Sequence, residues 1–311
     1  MKVLITGGAG FIGSHVAEHF FEIGNEVYII DNLSSGYREN IGFIDDEHFF
    51  ELDIRDYNKV NELIVKHQFD VVVHLAAMVS VVETVEKPVE SNEINIDATL
   101  NILQVCKENN KNIKKFVFAS SAAVYGNEKT LPKSIESFIQ PESPYAVQKY
   151  SGEQYVKIYN QLYGIPTTAL RFFNVYGPKQ DPKSQYSGVL SVLKNAFDQN
   201  KTFTFYGDGR QTRDFVYVKD VVQAINLVVN EDRSNGKVYN VGTSKPTSLI
   251  EIFDVFKNLY NKTIDTAFDK PREGDVKQSY ANIDGLEELG YKIKYPIAKG
   301  LNEYLSYKSS K

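Results

Sequence analysis

Residues 3–13 read Val3-Leu4-Ile5-Thr6-Gly7-Gly8-Ala9-Gly10-Phe11-Ile12-Gly13, an apolar run that passes directly into spaced glycines. The apolar run predicts a buried strand, and the glycines predict a tight turn into a helix. Gly7 permits the turn, Gly10 leaves room for an anion at the helix N-terminus, and Gly13 lets the helix lie close to the sheet. Because glycine-rich turns also occur in plain strand–turn–helix units, the motif alone leaves both interpretations open.

An aspartate at the end of the next apolar run favours a dinucleotide site. Val27-Tyr28-Ile29-Ile30 is followed by Asp31, 18 residues after Gly13. A carboxylate at that position can bind the hydroxyls of an adenosine ribose and would repel a 2′-phosphate. The alternative is an aspartate in an exposed turn, since residues 31–36 are rich in turn formers. Together the two features predict an NAD site and disfavour NADP.

Short apolar runs alternate with helix-like segments through the first half of the chain. Strands are predicted at residues 3–5, 27–30, 71–73, 116–118 and 167–173, and helices near residues 11–24, 56–67, 91–110 and 143–163. Continuous apolar runs are typical of parallel strands that are covered on both faces. The alternation predicts a doubly wound parallel α/β sheet of the Rossmann type.

The second half is interrupted more often by proline and glycine. Helices are predicted near residues 188–199, 219–230 and 248–260, and strands at 203–206 and 237–241. We interpret this half as a smaller C-terminal α/β lobe and divide the chain into residues 1–174 and 175–311, allowing that segments interleave. The polar tail from Tyr304 to Lys311 is expected to fray.

The composition is that of an ordinary globular protein. The chain has 311 residues, above the range of about 250–300 residues in which a single core keeps growing, which agrees with a second lobe. The net charge of −5 argues against nucleic-acid binding as the main activity. Because we find no apolar run long enough to span a membrane and no signal-peptide core, we expect a cytoplasmic protein that does not bind a membrane.

Few residues suggest a disulfide or a metal site. Cys106 is the single cysteine of the chain, so an intramolecular disulfide is excluded, and we expect this residue in the core. His15 and His19 have a spacing that can bind a metal on a helix, but a third ligand is not evident. We therefore expect no metal.

A tyrosine and a lysine four residues apart form the candidate catalytic pair. Tyr145 and Lys149 lie just after Ser143-Pro144, where a helix is predicted to begin, so they share one helix face. A free phenol is a poor base at neutral pH, but a nearby ammonium favours the phenolate and lowers the pKa of the phenol. Ser120 and Ser121 end a predicted strand at the sheet edge where doubly wound folds bind ligands. A tyrosine–lysine pair on a surface helix is the alternative, which the combination with the glycine motif disfavours.

These motifs resemble the extended short-chain dehydrogenase/reductase family and, within it, the NAD-dependent nucleotide-sugar epimerases and dehydratases. The resemblance covers nearly the whole chain and is strongest for 4-epimerases of UDP-hexoses. It rests on residues 6–13, 74–77, Asn95, 120–126, the Tyr145/Lys149 pair, 171–178, 207–215 and 272–275.

The resemblance implies a role for each matching residue. Ser121, Tyr145 and Lys149 would be catalytic, with Ser121 and Tyr145 at the sugar 4-hydroxyl and Lys149 at the nicotinamide ribose. The expected NAD contacts are Gly7, Gly10, Phe11, Ile12, Gly13, Asp31, Asn32, Ser35, Gly36, Asp53, Ile54, Leu75, Ala76, Ala77, Asn95, Ser120, Tyr145, Lys149 and Phe173. The expected UDP-sugar contacts are Ser121, Tyr145, Asn174, Val189, Tyr206, Arg213, Arg272, Asp275 and Ser279.

Two arginines in this set suit a diphosphate. Arg213 and Arg272 come from different segments, and arginine forms bidentate hydrogen bonds with phosphate. Without the resemblance, surface ion pairs with Asp214 and Asp275 would explain the same residues.

The residues after Ser121 separate the activities within the family. Dehydratases that resemble this chain carry an Asp-Glu pair there, and decarboxylases carry a glutamate, whereas this chain has Ala122 and Ala123. The absence of these carboxylates favours epimerisation. A UDP-glucuronate 4-epimerase needs the same core residues and stays an alternative. A non-catalytic nucleotide-sensing module is the other, although such proteins usually lose the tyrosine or the lysine.

The resemblance also suggests which sugars fit. In these epimerases the residue four positions beyond the aspartate of residues 272–275 lies beside the sugar C2 substituent, where a bulky tyrosine blocks an N-acetyl group. Counting gives Ser279, which predicts that N-acetylated sugars are accepted together with glucose and galactose. A shift of one residue would place Tyr280 there and reverse the conclusion, and a plain surface turn is the third possibility. A homodimer through the helices near 91–110 and 143–163 is also expected.

Overall fold

The computed structural model describes residues 1–180, 188–271 and 277–307. Its strands are β1 (Lys2–Thr6), β2 (Glu26–Asp31), β3 (Phe49–Glu51), β4 (Val71–His74), β5 (Lys115–Ser121), β6 (Thr167–Phe172), β7 (Asn174–Tyr176), β8 (Phe203–Tyr206), β9 (Thr212–Tyr217), β10 (Lys237–Val241), β11 (Pro246–Ser248), β12 (Thr266–Asp269) and β13 (Gln278–Ser279). Its helices are α1 (Phe11–Glu22), α2 (Tyr57–His67), α3 (Val81–Glu86), α4 (Pro88–Asn92), α5 (Ala98–Asn109), α6 (Pro144–Tyr163), α7 (Val189–Gln199), α8 (Val218–Val229), α9 (Leu249–Tyr260), α10 (Asp284–Glu287) and α11 (Ile297–Ser306).

Seven parallel strands form the large sheet, in the order β10-β6-β5-β4-β1-β2-β3. This confirms the predicted parallel α/β sheet. The carboxyl ends of neighbouring strands meet at one edge, where Thr6 is in register with both Ile30 and His74. The first turn of α1 and the end of β5 therefore lie at the same edge of the sheet.

Both faces of this sheet are covered, which explains its continuous apolar strands. Along β1, Val3 and Ile5 pack in one core cluster with residues of α1 and α8. Leu4 points to the other face and packs in a second cluster with residues of α2, α5 and α6. Strand β3 was not predicted because it has only three residues, none of them fully buried.

The smaller lobe is built around a four-stranded sheet of β7, β9, β11 and β13 and a two-stranded sheet of β8 and β12. Its own core cluster includes Tyr176, Phe197, Phe205 and Phe256. Two elements from beyond residue 174 pack with the large sheet. Strand β10 pairs with β6, and helix α8 packs on the same face of the sheet as α1. Segments on both sides of residues 174 and 175 therefore pack with the large sheet, and the division into two domains stays a prediction.

The expectation that the chain frays from Tyr304 is wrong at its first residues. Helix α11 extends to Ser306, and Tyr304 is buried in the core of the smaller lobe. Its hydroxyl lies 3.3 Å from Ser191 Oγ, so a hydrogen bond and apolar contacts hold the last turn of the helix. Within the described part of the chain, no helix is long and apolar enough to cross a membrane.

Candidate active site

The glycine loop between β1 and α1 has two glycines that the backbone requires and one that is less closely packed. Gly7 has φ +71°, and a Cβ at Gly7 would lie 2.8 Å from Ala76 N. A Cβ at Gly13 would lie 2.1 Å from Gly7 O, so α1 approaches the loop as closely as a glycine allows. A Cβ at Gly10 would meet only Gly7 O, at 3.3 Å. Gly10 is therefore less closely packed than Gly7 and Gly13, although a Cβ there would still press on the Gly7 carbonyl.

The N-terminus of α1 fits a pyrophosphate. Gly10 is the N-cap residue and has no side chain to cap the helix. The first helical hydrogen bond runs from Ser14 N to Gly10 O at 3.0 Å, so the N–H groups of Phe11, Ile12 and Gly13 precede the hydrogen bonds of the helix. Donors of this kind, together with the helix dipole, bind anions. The residues present thus fit a dinucleotide such as NAD.

Asp31 braces the glycine loop from within the protein. Its Oδ2 accepts a hydrogen bond from Ala9 N at 2.9 Å, and its Oδ1 accepts one from Leu33 N at 2.8 Å. Burial raises the pKa of Asp31, and the hydrogen bonds from the backbone oppose that shift. Gly36 packs on the same loop, since a Cβ there would lie 2.7 Å from the carbonyl carbon of Ala9. The contact of Asp31 with a ribose stays a prediction.

Asp53, predicted to lie near the adenine, is held by its neighbours. Arg55 donates two hydrogen bonds to its carboxylate, at 3.0 and 2.8 Å, and Asn32 donates a third at 3.1 Å. These hydrogen bonds, chiefly those of Arg55, lower the pKa of Asp53 to about 2. The side chain of Ile54 is buried in the core, and Ser35 is exposed. A ligand would therefore meet Ile54 through its backbone.

A buried histidine fixes the loop after β4, which contains Leu75, Ala76 and Ala77. His74 Nδ1 lies 2.7 Å from Thr6 Oγ1, and its Nε2 lies 2.8 Å from Thr99 Oγ1. Burial lowers the pKa of His74 to about 3, so the ring is neutral. Thr6 Oγ1 also accepts the N–H groups of Leu75 and Ala76, each at 3.2 Å. The ends of β1 and β4 are thereby held together, and all three loop residues are half-buried.

Asn95 supports this loop through its side-chain amide. It lies in a π-helical turn, Glu93–Asp97, and is buried. Its side chain accepts from Met78 N at 2.8 Å and donates to Met78 O at 3.0 Å and to Gln148 Oε1 at 2.8 Å. Its predicted contact with NAD is not tested by these hydrogen bonds.

The three predicted catalytic residues come together at the carboxyl edge of the sheet. Ser121 ends β5, and Ser143 caps α6 by accepting a hydrogen bond from Ala146 N at 3.2 Å. This cap starts the helix so that Tyr145 lies in its first turn and Lys149 one turn later. Lys149 Nζ lies 5.8 Å from the centroid of the Tyr145 ring, and the Ser121 hydroxyl lies near enough to the phenol to act on the pKa of Tyr145.

The electrostatics of the pair differ from the expectation. We predicted that Lys149 lowers the pKa of Tyr145, but that pKa is raised, because burial of the phenol outweighs the hydrogen bond from Ser121. Burial also lowers the pKa of Lys149 to about 8. Neither charged form is well solvated, since the Lys149 side chain is only 4% exposed. The spacing of the two residues along the helix does not report this desolvation, and the support of the phenolate by the Lys149 charge stays a prediction.

Ser121 is oriented by the turn that follows it. Residues Ala122–Tyr125 form a 3₁₀ turn, and Ser121 Oγ accepts the N–H of Ala123 at 3.1 Å. Because its oxygen accepts there, its hydroxyl proton is available to the Tyr145 oxygen or to a substrate oxygen. Ala122 and Ala123 stand beside it, and neither can serve as an acid or a base.

Residues predicted to bind the substrate share one face of the small sheet. Arg213 on β9 is in register with Ser279 on β13, and Asn174 on β7 is in register with Phe215 on β9. Neighbours in register and residues two apart on a strand point to the same face. The side chains that therefore face the same side of the sheet are Asn174, Arg213 and Ser279. More than a hundred residues separate Asn174 from Ser279 along the chain.

The remaining predicted contacts differ in exposure. Tyr206 is 38% exposed at the end of β8, Val189 is half-buried at the start of α7, and Phe173 is buried. Arg213 donates to Thr212 O at 2.9 Å. Arg272 and Asp275 lie outside the described residues.

Asp214 has a different role from the surface ion pair that we considered for it. It is fully buried, and its Oδ1 accepts the N–H and the hydroxyl of Thr243 at 2.7 and 2.6 Å. Its Oδ2 accepts the N–H groups of Ser244 and Ala281, each at 3.0 Å. This carboxylate therefore joins β9 to the turn after β10 and to the residues after β13.

Other nucleophilic and metal-binding side chains do not extend the site. Cys106 is buried, and burial raises the pKa of its thiol to about 12. Across residues 1–180, 188–271 and 277–307, no group of three or more His, Cys, Asp or Glu side chains could hold a metal ion.

Known proteins share this architecture over the whole chain. The chain is 35% identical to a UDP-glucose 4-epimerase of Thermotoga maritima solved with UDP-glucose, with a TM-score of 0.92 over 99% of this chain and 98% of that one. It is 38% identical to a UDP-N-acetylglucosamine 4-epimerase of Methanobrevibacter ruminantium solved with UDP-N-acetylmuramic acid, with a TM-score of 0.91 over 98% and 96%. It is 30% identical to a UDP-glucuronic acid 4-epimerase of Bacillus cereus solved with UDP-glucuronic acid and NAD, with a TM-score of 0.88 over 99% and 98%.

A family model matches most of the chain. Residues 3–242 match the model of the NAD dependent epimerase/dehydratase family. The matched region includes the glycine loop, Ser121, Tyr145 and Lys149, which are the residues that the structure brings to one sheet edge. The chain belongs to the NAD-dependent epimerase/dehydratase family, and NAD is its cofactor.

Proposed function

We propose that this protein is a UDP-hexose 4-epimerase that interconverts UDP-glucose and UDP-galactose and also their N-acetylated counterparts. The observation that carries the proposal is the meeting of Ser121, Tyr145 and Lys149 beside the glycine loop. Two further points support it. The turn after Ser121 has alanines where an elimination or a decarboxylation would use carboxylates. Structures solved with UDP-glucose and of a UDP-N-acetylglucosamine 4-epimerase are similar over nearly the whole chain.

The proposed chemistry starts with proton transfer to Tyr145. Its phenolate takes the proton of the sugar 4-hydroxyl, and Ser121 donates a hydrogen bond to the oxygen that becomes negative. NAD, when bound, supplies the hydride acceptor and donor for the sugar C4. Lys149 would hold the nicotinamide ribose of bound NAD and would support the phenolate by its charge. Tyr145 then returns the proton to the 4-oxygen.

The inversion at C4 requires the sugar to turn while the nucleotide stays fixed. The 4-keto sugar rotates about its link to the diphosphate and presents its other face. The residues that would hold the UDP part during this rotation are Asn174, Val189, Tyr206, Arg213, Arg272 and Asp275. Strong contacts on the nucleotide and loose contacts on the sugar are what such a rotation needs.

The register of the small sheet supports Ser279, rather than Tyr280, as the residue beside the sugar C2 substituent. Ser279 is in register with Arg213 and faces the same side of the sheet. Tyr280 follows it directly, and its carbonyl accepts a hydrogen bond from Lys133 N at 2.8 Å. Consecutive residues of an extended chain point to opposite sides, so a serine and not a tyrosine shares the face of Arg213.

A panel of sugar nucleotides tests the proposal. UDP-galactose, UDP-N-acetylgalactosamine and UDP-glucuronate are each incubated with the NAD-loaded protein, and the products are separated and identified. We expect conversion of the first two. Conversion of UDP-glucuronate alone would support the UDP-glucuronate 4-epimerase alternative, and no conversion of any of them would support a binding module. The Tyr145→Phe protein, purified in parallel, controls for contaminating activity.

We also propose that the enzyme is a cytoplasmic homodimer. Helix α6 exposes the apolar side chains of Val147, Ile158 and Leu162, the last of them 64% exposed. Burial of these side chains against a second copy would remove apolar surface from water. We expect Leu162→Glu to shift the protein to monomer in sedimentation, whereas Val192→Glu on α7, also exposed, leaves the dimer intact. A wild-type monomer at micromolar concentration would contradict the proposal.

A further inference from the structure

A buried ion pair lies behind the catalytic residues. Arg171 on β6 donates to Glu153 on α6 through Nε and Nη2, at 2.8 and 2.6 Å. The two side chains are 3% and 1% exposed. Burial of two charges costs free energy unless their hydrogen-bonding groups are satisfied. Both side chains of this pair have further hydrogen-bond partners. Arg171 begins residues 171–178, one of the stretches that carry the family resemblance, and has no predicted role in the site.

The partners of the pair are residues on either side of Ser121. Ser120 Oγ donates to Glu153 Oε2 at 3.0 Å. On the other side, Arg171 Nη1 donates to the Tyr125 hydroxyl at 2.8 Å. Ser120 and Tyr125 are buried. One ion pair therefore holds the residue before Ser121 and the last residue of the turn after it.

The Tyr125 hydroxyl is also tied to strand β10, at the edge of the large sheet. It donates to Asn240 Oδ1 at 2.7 Å, and Asn240 Nδ2 donates to Lys133 O at 2.7 Å. Lys133 N in turn donates to Tyr280 O, beside Ser279. The turn that orients Ser121 is thus anchored at its far end by a fully hydrogen-bonded phenol.

Helix α6 carries Glu153 of the ion pair together with Tyr145 and Lys149. Glu153 follows Lys149 by one turn, and Tyr145 precedes Lys149 by one turn. The ion pair therefore connects the residues on either side of Ser121 to the helix that carries Tyr145. Effective proton transfer needs a hydrogen bond of ordinary length between such groups, and small displacements of reacting groups are costly.

We infer that Tyr125 and Ser120 are positioning residues, which act through the Arg171–Glu153 pair to hold Ser121 Oγ against the Tyr145 hydroxyl. The kinetic part of this inference rests on the proposed function, and the geometric part does not. A network that only stabilised the fold would leave the coupling between Ser121 and Tyr145 unchanged.

The kinetic test uses Tyr125→Phe, which removes one hydroxyl and keeps the ring. We expect kcat for UDP-galactose to fall about tenfold with KM changed less than about twofold, because positioning affects the reacting state more than binding. Tyr159→Phe is the matched control, since Tyr159 is also buried and its hydroxyl donates to Gln104 at 2.7 Å. We expect that control to keep the wild-type kcat.

A double-mutant cycle shows whether Tyr125 acts through Ser121. In a Ser121→Ala background, we expect Tyr125→Phe to cause no further loss of kcat. Losses that multiply would mean that Tyr125 acts independently of Ser121, and this outcome would overturn the inference.

A substrate-free readout separates this inference from the proposed function. The phenolate absorbance of Tyr145 is followed against pH, and its signal is assigned by its loss in Tyr145→Phe. Ser121 lies against the phenol from β5, and Lys149 is the charged group that packs against it from α6. We expect Tyr125→Phe and Ser121→Ala to raise the titration midpoint of Tyr145 similarly, and the double variant to raise it no further.

An unchanged midpoint in a folded Tyr125→Phe protein would overturn the inference, whether or not the wild type turns over a UDP-sugar. If Tyr125→Phe does not fold, Ser120→Ala takes its place in both experiments, since it removes the hydrogen bond to Glu153 with a smaller change of volume. The same outcomes then apply.

Discussion

The carboxyl edge of the large sheet and the face of the small sheet are built in different ways. At the large sheet, residues close in sequence form each part of the site, as in the loop from Gly7 to Gly13 and the helix turn from Tyr145 to Lys149. At the small sheet, Asn174, Arg213 and Ser279 come from three separate segments and meet only through strand register. The first region is also the more buried, since Lys149 is 4% exposed whereas Asn174 is exposed and Arg213 and Ser279 are half-buried.

Because of this difference, we expect the two regions to tolerate different substitutions. A side chain added at Gly13 would collide with backbone, and a shift of Ser121 would disturb the reacting groups. A residue on the face of the small sheet can change in size without touching the catalytic residues. We therefore expect residues at the large sheet to determine the reaction and residues at the small sheet to determine which sugar is accepted.

The largest effect is expected at the base. Tyr145→Phe should lower turnover of UDP-hexoses by at least about a hundredfold, the low end of general acid–base effects. The variant should still bind NAD and the UDP-sugar, because it loses only a hydroxyl. Turnover and bound NAD are measured side by side, with Tyr159→Phe as the control. Near-wild-type turnover in Tyr145→Phe would remove Tyr145 from the role of base.

Substitution of two glycines in the same loop should affect different properties, the stability of the fold in one case and NAD affinity in the other. In Gly13→Ala the new Cβ would lie 2.1 Å from Gly7 O, and we expect a loss of at least about 2 kcal/mol in the free energy of unfolding. In Gly10→Ala the fold should remain and NAD affinity should fall about tenfold, which is about 1.4 kcal/mol. Gly42→Ala is the control, because its Cβ would meet only Glu39 O at 3.7 Å. Equal destabilisation by all three would show that the loop is not closely packed.

The cofactor preference tests Asp31. After removal of bound nucleotide, NAD should restore activity at a concentration at least about tenfold lower than NADP does, a difference of about 1.4 kcal/mol. The physical reason is the repulsion between the buried carboxylate and a 2′-phosphate. Equal restoration by the two cofactors would mean that Asp31 only braces the loop through Ala9 and does not face the ribose.

The small sheet is tested at Ser279. We expect Ser279→Tyr to lower kcat/KM for UDP-N-acetylgalactosamine about tenfold relative to UDP-galactose, because the phenol would fill the space of the N-acetyl group. Gln278→Tyr adds the same side chain at the preceding residue of the strand, which points to the other side. Rejection of the N-acetyl sugar by the wild type, or its undiminished use by Ser279→Tyr, would show that Ser279 does not set the sugar size.

The smallest effect is expected in the pH profile. Burial lowers the pKa of Lys149 to about 8 from an ordinary 10.5, so its charge is present below pH 8 and is lost as the pH rises through that value. If the charge supports the phenolate, kcat should decline on the alkaline side of about pH 8. Lys149→Arg should be less active but should not show this decline, since arginine stays protonated. A wild-type kcat that keeps rising through pH 8 would contradict this role of Lys149.

The strands, the glycine loop and the Tyr145/Lys149 pair were predictable because each depends on short-range patterns. A run such as residues 71–73 is apolar throughout because both of its faces are buried, and Tyr145 and Lys149 share a helix face because of the helical repeat. Missed elements such as β3 and β13 are two or three residues long and take their strand geometry from their neighbours. Periodicity carries no signal at that length.

The sequence by itself determined the fold class, the glycine loop and the helix face that Tyr145 and Lys149 share, since backbone sterics and residue spacing act locally. The tertiary structure alone decided that the pKa of Tyr145 is raised, that Asp31 turns its carboxylate to Ala9, and that Arg171 pairs with Glu153. These outcomes depend on desolvation and on contacts between segments far apart in the chain. Neither is encoded in the spacing of any motif, because burial is a property of the packed molecule.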